Sequence, residues 1–174
     1  MARLRKFSAY RRLERPYTRI SRLRKKSYIR ASPRVNIIRF TMGDAAKKFS
    51  CQLNLRTKEA LQIRHNAIES ARMTCNRLLE TKLGKNGYHL KIKVYPFHVL
   101  RENPLAAGAG ADRMSTGMQK AFGKPISNAA RLKAGQVIFS LDVNKADLRT
   151  ARLALKRASY KLPCGCRISL TENQ

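Results

Sequence analysis

Acidic residues are scarce in this 174-residue chain: ten Asp and Glu stand against 38 Lys and Arg, a formal charge of +28 at pH 7. With so few carboxylates, no Asp/Glu cluster is available to hold magnesium and no carboxylate pair is set up for acid–base work. There is no run of about 18 apolar residues, which argues against a membrane span. The N-terminus also lacks the apolar stretch of a secretory signal. Cysteines number four, Cys51, Cys75, Cys164 and Cys166. Only the last two are close together, and the C-x-C of "PCGC" is not the usual zinc knuckle, C-x(2–4)-C. In a reducing compartment all four are expected to be free thiols, with Cys75 a small buried residue on a helix. His65, His89 and His98 have no metal-ligand spacing. Neither G-x(4)-G-K-[ST] nor G-x-S-x-G occurs. No catalytic residue, metal or cofactor is therefore expected, and the chain is not read as an enzyme.

Positive charge is what the sequence has in excess. Self-repulsion on this scale is relieved by a polyanion, and nucleic acid fits better than a membrane or an acidic protein. The charge is densest in residues 1–34, where thirteen cations are met by a single acid, Glu14. They are Arg3, Arg5, Lys6, Arg11, Arg12, Arg15, Arg19, Arg22, Arg24, Lys25, Lys26, Arg30 and Arg34. Phe7, Tyr10, Tyr17 and Tyr28 are interleaved with them. Apolar residues are too sparse here to bury a face, so the segment reads as an extension that orders on RNA. Guanidiniums would fork onto phosphates and tyrosines would stack.

Residues 35–174 carry the periodicities of a folded domain. "VNIIRF" (35–40) reads as a strand followed by a Gly43-Asp44 turn. Phe49, Cys51, Leu53 and Leu55 alternate as in a half-buried strand. Thr57 is placed to cap a helix running to about Lys82, with Gly84 and Gly87 ending it. "YHLKIKVYPFHVL" (88–100) alternates again, with Pro96 marking a bend or the end of a strand. A hairpin is expected to turn near Ala134-Gly135. Asn144 is expected to cap a second helix with an apolar stripe of Leu148, Ala151, Leu155 and Ala158. Beside that stripe Lys145, Arg149, Arg152 and Lys156 form a cationic ridge suited to phosphates. The chain closes on a short strand, "CRISL". The fold class expected is α+β: an antiparallel sheet with two α-helices packed on it, a basic N-terminal extension and a long internal flexible loop.

That loop, residues 101–125, is far longer than most connections between elements, and loops of such length tend to be functional or disordered. Its glycines permit close backbone approach to a partner, and Arg101, Arg113, Lys120 and Lys124 supply charge. Its sequence, "RENPLAAGAGADRMSTGMQKAFGKP", resembles the signature of the universal large-subunit ribosomal protein family numbered sixteen in bacteria and ten-e in archaea. "YIRASP" (28–33), "YPFHVLR" (95–101) and "GQVIFSL" (135–141) support the match, from about Tyr17 to the C-terminus. The chain is similar to the archaeal form. Pro104-Leu105 and Ile126-Ser127-Asn128 depart from that pattern.

The resemblance implies a cytoplasmic protein, a monomer within the large ribosomal subunit, in contact with neighbouring ribosomal proteins. It implies binding to rRNA near the base of the central protuberance, close to 5S rRNA. It also implies a share in shaping the cleft for aminoacyl and peptidyl tRNA acceptor arms. The loop is then a finger aimed at the peptidyl-transferase region, with Arg101, Arg113, Lys120 and Lys124 facing RNA. The thirteen arm cations and the ridge Lys145, Arg149, Arg152 and Lys156 are expected to contact rRNA on charge and spacing alone. The stretch before Tyr17 and the run "ISRLRKKS" are longer or more basic than the family pattern, so the arm's contacts are not carried over from the resemblance. Catalysis belongs to the rRNA.

Overall fold

The computed structural model describes residues 5–13, 22–26, 29, 32–102, 110 and 123–172. Among them the order is β1 (Thr41–Gly43), β2 (Cys51–Thr57), β3 (Leu61–Arg64), α1 (His65–Leu83), β4 (Tyr88–Ile92), β5 (His98–Glu102), β6 (Lys124–Leu132), β7 (Val137–Val143), α2 (Leu148–Ser159) and β8 (Cys166–Glu172). The mixed α+β architecture is as expected, with two antiparallel sheets in place of one. The larger sheet runs β1-β4-β7-β2-β8 and the smaller β3-β6-β5.

Register explains the core. Leu90, Leu141, Leu53 and Leu170 stand in one row across the large sheet, and Ile92, Phe139, Leu55 and Ile168 in the next. Alternation puts these residues on one face, and they need apolar cover. The helices supply it. Ile68, Ala71, Cys75 and Leu79 of α1 and Ala151, Ala154, Leu155 and Ala158 of α2 are fully buried in the same cluster. Side chains of the small sheet, Leu61, Ile63, Ala130 and Leu132, join that core.

Four local expectations are corrected by pairing. The stretch 35–40 is not a strand: its backbone joins no ladder in either sheet among the described residues. Only Phe40 reaches β4, accepting from the Ile92 N–H at 2.8 Å, while the Asn36 N–H is taken by His65 Nδ1 at 3.1 Å. The first helix does not begin at Thr57. Leu61–Arg64 pair with Leu132–Ala129 as β3, a tertiary partner overriding local helical spacing. The Thr57 hydroxyl instead donates to the Lys133 carbonyl at 2.9 Å. Residues 88–100 are two strands in different sheets, broken around Pro96. The chain does turn at Gly135, with φ of +77°, but β6 and β7 enter different sheets, so no hairpin forms. The Gly135 N–H donates to the Thr57 carbonyl at 2.9 Å, stitching the turn to β2.

Asn144 makes no side-chain cap; a short 3-10 turn, Lys145–Asp147, leads into α2. Among the described residues Gly43 and Gly87 have no room for a side chain: at Gly87 a Cβ would lie 2.4 Å from the Leu83 carbonyl oxygen, and Gly43 is tighter still. The Gly43 φ is +85°, and a Cβ there would lie 2.1 Å from the Tyr88 carbonyl oxygen.

Candidate nucleic-acid interface

The finger grows from the small sheet. Glu102, the last residue of β5, stands opposite Lys124, the first of β6, after a register shift between Leu100 and Arg101. Paired strand therefore takes up residues 101–102 and 124–125, both ends of the loop expected over 101–125, because each finds a partner across the small sheet. Arg101 is half-buried and Lys124 exposed, while Arg113 and Lys120 lie outside the described residues.

The N-terminal arm is seated at this same root. Residues Phe7–Tyr10 form a 3-10 turn that buries the Tyr10 ring against Leu100 and Ala129, with Ile126 alongside. The Tyr10 hydroxyl donates to Glu102 Oε2 at 2.9 Å, and Arg5 forms an ion pair with Oε1 of the same carboxylate. Burial, and next the bond to Glu102, raise the Tyr10 pKa. Arg64 of β3 donates to the Arg5 carbonyl at 2.8 Å and its guanidinium lies 5.7 Å from the Tyr10 ring centroid, a cation–π distance. The Gln62 amide donates to the Tyr10 carbonyl. Arg11 pairs with Glu59 at 3.5 Å, both well exposed, a contact worth little by itself. Arm and finger root are thus tied together by one carboxylate, Glu102. On sequence Glu102 reads as a turn residue or a partner of Arg101; in the fold it holds Arg5 and Tyr10, 97 and 92 positions away. Tyr10, Gln62, Arg64 and Glu102 carry no sequence signal for this role beyond Tyr10 being an aromatic among cations.

Among the expected arm contacts, Arg5, Lys6, Arg11, Arg12, Arg22, Lys25, Lys26 and Arg34 are exposed. Arg24 begins a second 3-10 turn, Arg24–Lys26. Arg3, Arg15, Arg19 and Arg30 lie outside the described residues. Arg149, Arg152 and Lys156 of α2, and Lys145 in the 3-10 turn before it, are all exposed. Lys145 pairs with Glu172 at 3.5 Å. The other three share the lining of a groove of about 690 Å³ between α2 and β8.

His98 is buried. His89 Nδ1 lies 3.1 Å from Asp142 Oδ2. His65 accepts the Asn36 N–H, and burial, then the neighbouring Arg64, lower its pKa. A histidine held neutral by the fold costs stability once it must take a proton. His65 thus favours folding above the ordinary histidine pKa of about 6.5, and that contribution is lost as pH falls from there through its lowered native value. Thermal melts should accordingly show Tm falling between pH 7 and pH 5, with a shallower fall in His65→Asn, which keeps an acceptor but cannot titrate. An unchanged pH profile in that variant would reject the assignment.

All four cysteines are free. Burial pushes the Cys75 thiol up to about 12. Cys164 and Cys166 lie 3.7 Å apart at sulfur, and their mutual hydrogen bond raises the first and lowers the second. Among the described residues no group of three or more His, Cys, Asp or Glu side chains is placed to hold a metal. Nor is any described helix long and apolar enough to cross a membrane.

Comparison with known proteins decides the family. The profile of ribosomal protein L16p/L10e matches residues 15–169. The chain belongs to this family. Large ribosomal subunit protein uL16 of Methanococcus maripaludis strain S2 is 42% identical over 172 residues, covering 98% of this chain and 96% of that protein. Proteins of the same name from Archaeoglobus fulgidus and Methanococcus aeolicus are 44% identical over 159 residues and 42% over 166. These cover 91% and 95% of this chain, and 88% and 92% of the relatives. As an L16p/L10e protein the chain is a structural, non-enzymatic constituent of the large ribosomal subunit, associated with rRNA and with other ribosomal proteins.

Proposed function

We propose that this L16p/L10e protein binds rRNA near the base of the central protuberance, close to 5S rRNA. There its finger helps position the acceptor arms of aminoacyl and peptidyl tRNA beside the peptidyl-transferase centre. Residues 1–34 act as an rRNA-binding extension of a body formed by 35–174. The protein works as a cytoplasmic monomer within the subunit. The arm cations and the α2 ridge meet rRNA phosphates, and Arg101, Arg113, Lys120 and Lys124 face RNA along the finger.

The observation that carries this proposal is the seating of the arm on the finger's root through Tyr10, Arg5 and Glu102. It brings the densest cationic segment beside the strands from which the finger leaves. Phosphates captured by the arm would thereby fix the direction in which the finger points. The mechanism is electrostatic: each phosphate neutralised releases counterions, giving a log–log salt slope of about −0.7 to −0.9 per contact.

A salt titration of the full chain against large-subunit rRNA tests it. Roughly ten contacts give a slope of about −7 to −9, with anionic phospholipid vesicles bound far more weakly at every salt concentration. A slope shallower than about −3, or vesicles bound as tightly as rRNA, would count against the assignment.

A further inference from the structure

The two apolar rows of the large sheet do not stop where helical cover stops. Leu90, Leu141 and Leu53 are fully buried, yet Leu170, the fourth member of their row, is 38% exposed. Ile168 continues the neighbouring row and is half-buried. Leu153 of α2 faces them across the groove and is 45% exposed. The rim on the α2 side is Arg149, Arg152 and Lys156. Among the described residues no acid lines the groove. At a rise of 1.5 Å per residue the three cations spread over about 10 Å of helix.

Resting on the rRNA role above, we propose that this groove is a subsite for a single unpaired RNA nucleotide. Its base lies on Leu153, Ile168 and Leu170, and the flanking phosphates lie on Arg149, Arg152 and Lys156. A phosphate-only surface has no use for exposed leucines, which cost free energy in water. A nucleobase has a flat, weakly hydrated face that such a floor can cover, and its own phosphates lie within reach of the rim. Guanidiniums serve both parts, since they fork onto phosphate and stack on bases. Bases inside a duplex are already stacked and cannot enter, so the subsite selects single strands, bulges and loops. The outer edge of β8, unpaired among the described residues, could also receive an extended acidic peptide. RNA is favoured because the chain belongs to a ribosomal protein family and the whole molecule carries a charge of +28.

Methyl NMR on the full chain, labelled at Leu and Ile, tests the subsite without interference from RNA bound elsewhere. The probes are a single-stranded oligoadenylate, an RNA hairpin stem and inorganic polyphosphate. Oligoadenylate alone should move the Leu153, Ile168 and Leu170 methyls upfield, because only a stacked base imposes a ring current. Leu153→Ser, at a solvent-exposed position, should abolish those shifts and weaken oligoadenylate at the groove about tenfold. Arg152→Gln should weaken all three probes there. Methyls that stay still, or that respond equally to polyphosphate, overturn the subsite and leave a plain phosphate ridge. A Glu/Leu peptide that displaces oligoadenylate from the groove overturns it in favour of a protein partner. Either result with large-subunit rRNA binding intact removes only this subsite; loss of rRNA binding by the full chain removes the role on which it rests.

Discussion

Replacing residues 103–123 with a short glycine linker is expected to leave subunit assembly intact and to lower peptide synthesis about a hundredfold. The first half of this expectation follows from where the finger is attached. Glu102 and Lys124 are already paired across β5 and β6, so a short linker can close the ends without disturbing the small sheet. Tyr10, Leu100 and Ala129 keep their contacts below it. The second half follows from geometry at a reaction centre. If acceptor arms are held by the finger, its loss lets reacting ends drift, and misplacement by about an ångström costs on the order of a hundredfold in rate. Reconstituted subunits carrying the linker should therefore sediment normally but fail in a single-turnover peptide-bond assay. Normal peptide synthesis in those particles would refute the positioning role, while failed assembly would place the finger among the structural rRNA contacts instead.

Removing the arm's charge should have the larger effect on binding. Deletion of residues 1–34 is the blunt test, because it also uncovers Leu100 and Ala129 and leaves Glu102, whose side chain is only 13% exposed, without Arg5 and Tyr10. A chain with glutamine at every arm cation except Arg5 separates the two effects. It keeps the Tyr10 seat and the ion pair with Glu102 while deleting twelve of the thirteen charges. At 0.1 M salt each lost phosphate contact costs somewhat less than a decade of affinity, so even four or five give about a thousandfold loss. The salt slope should flatten by about 0.7 to 0.9 per contact. Circular dichroism should be unchanged. If slope and affinity both survive neutralisation, the arm is not an rRNA-binding element, whatever its charge.

Much of the body could be read from residues alone. The alternation of Cys51, Leu53 and Leu55 and of Tyr88, Leu90 and Ile92 marks β2 and β4, because one buried face imposes a period of two. The stripe Ala151, Leu155 and Ala158 marks α2 for the corresponding helical reason. The small sheet was not legible. "LQIR" is too short to tell strand from helix, and its strand state comes from β6, which lies some seventy residues further on. The 88–100 run likewise shows one alternation, although its two halves join different sheets. The arm cations and the α2 ridge were visible as charge patterns, whereas the groove beside the ridge depends on Ile168 and Leu170 from another element.

The sequence by itself determined the surplus of positive charge, the two helices, the β-rich body and the signature that places the chain in the L16p/L10e family. These are properties of composition and local period, which each segment carries with it. Only the tertiary structure decided that there are two sheets, that Glu102 joins the arm to the finger's root, and that an apolar groove opens beside α2. Each of those depends on residues far apart in the chain meeting in space, and pairing of that kind is selected by the packing of the whole core.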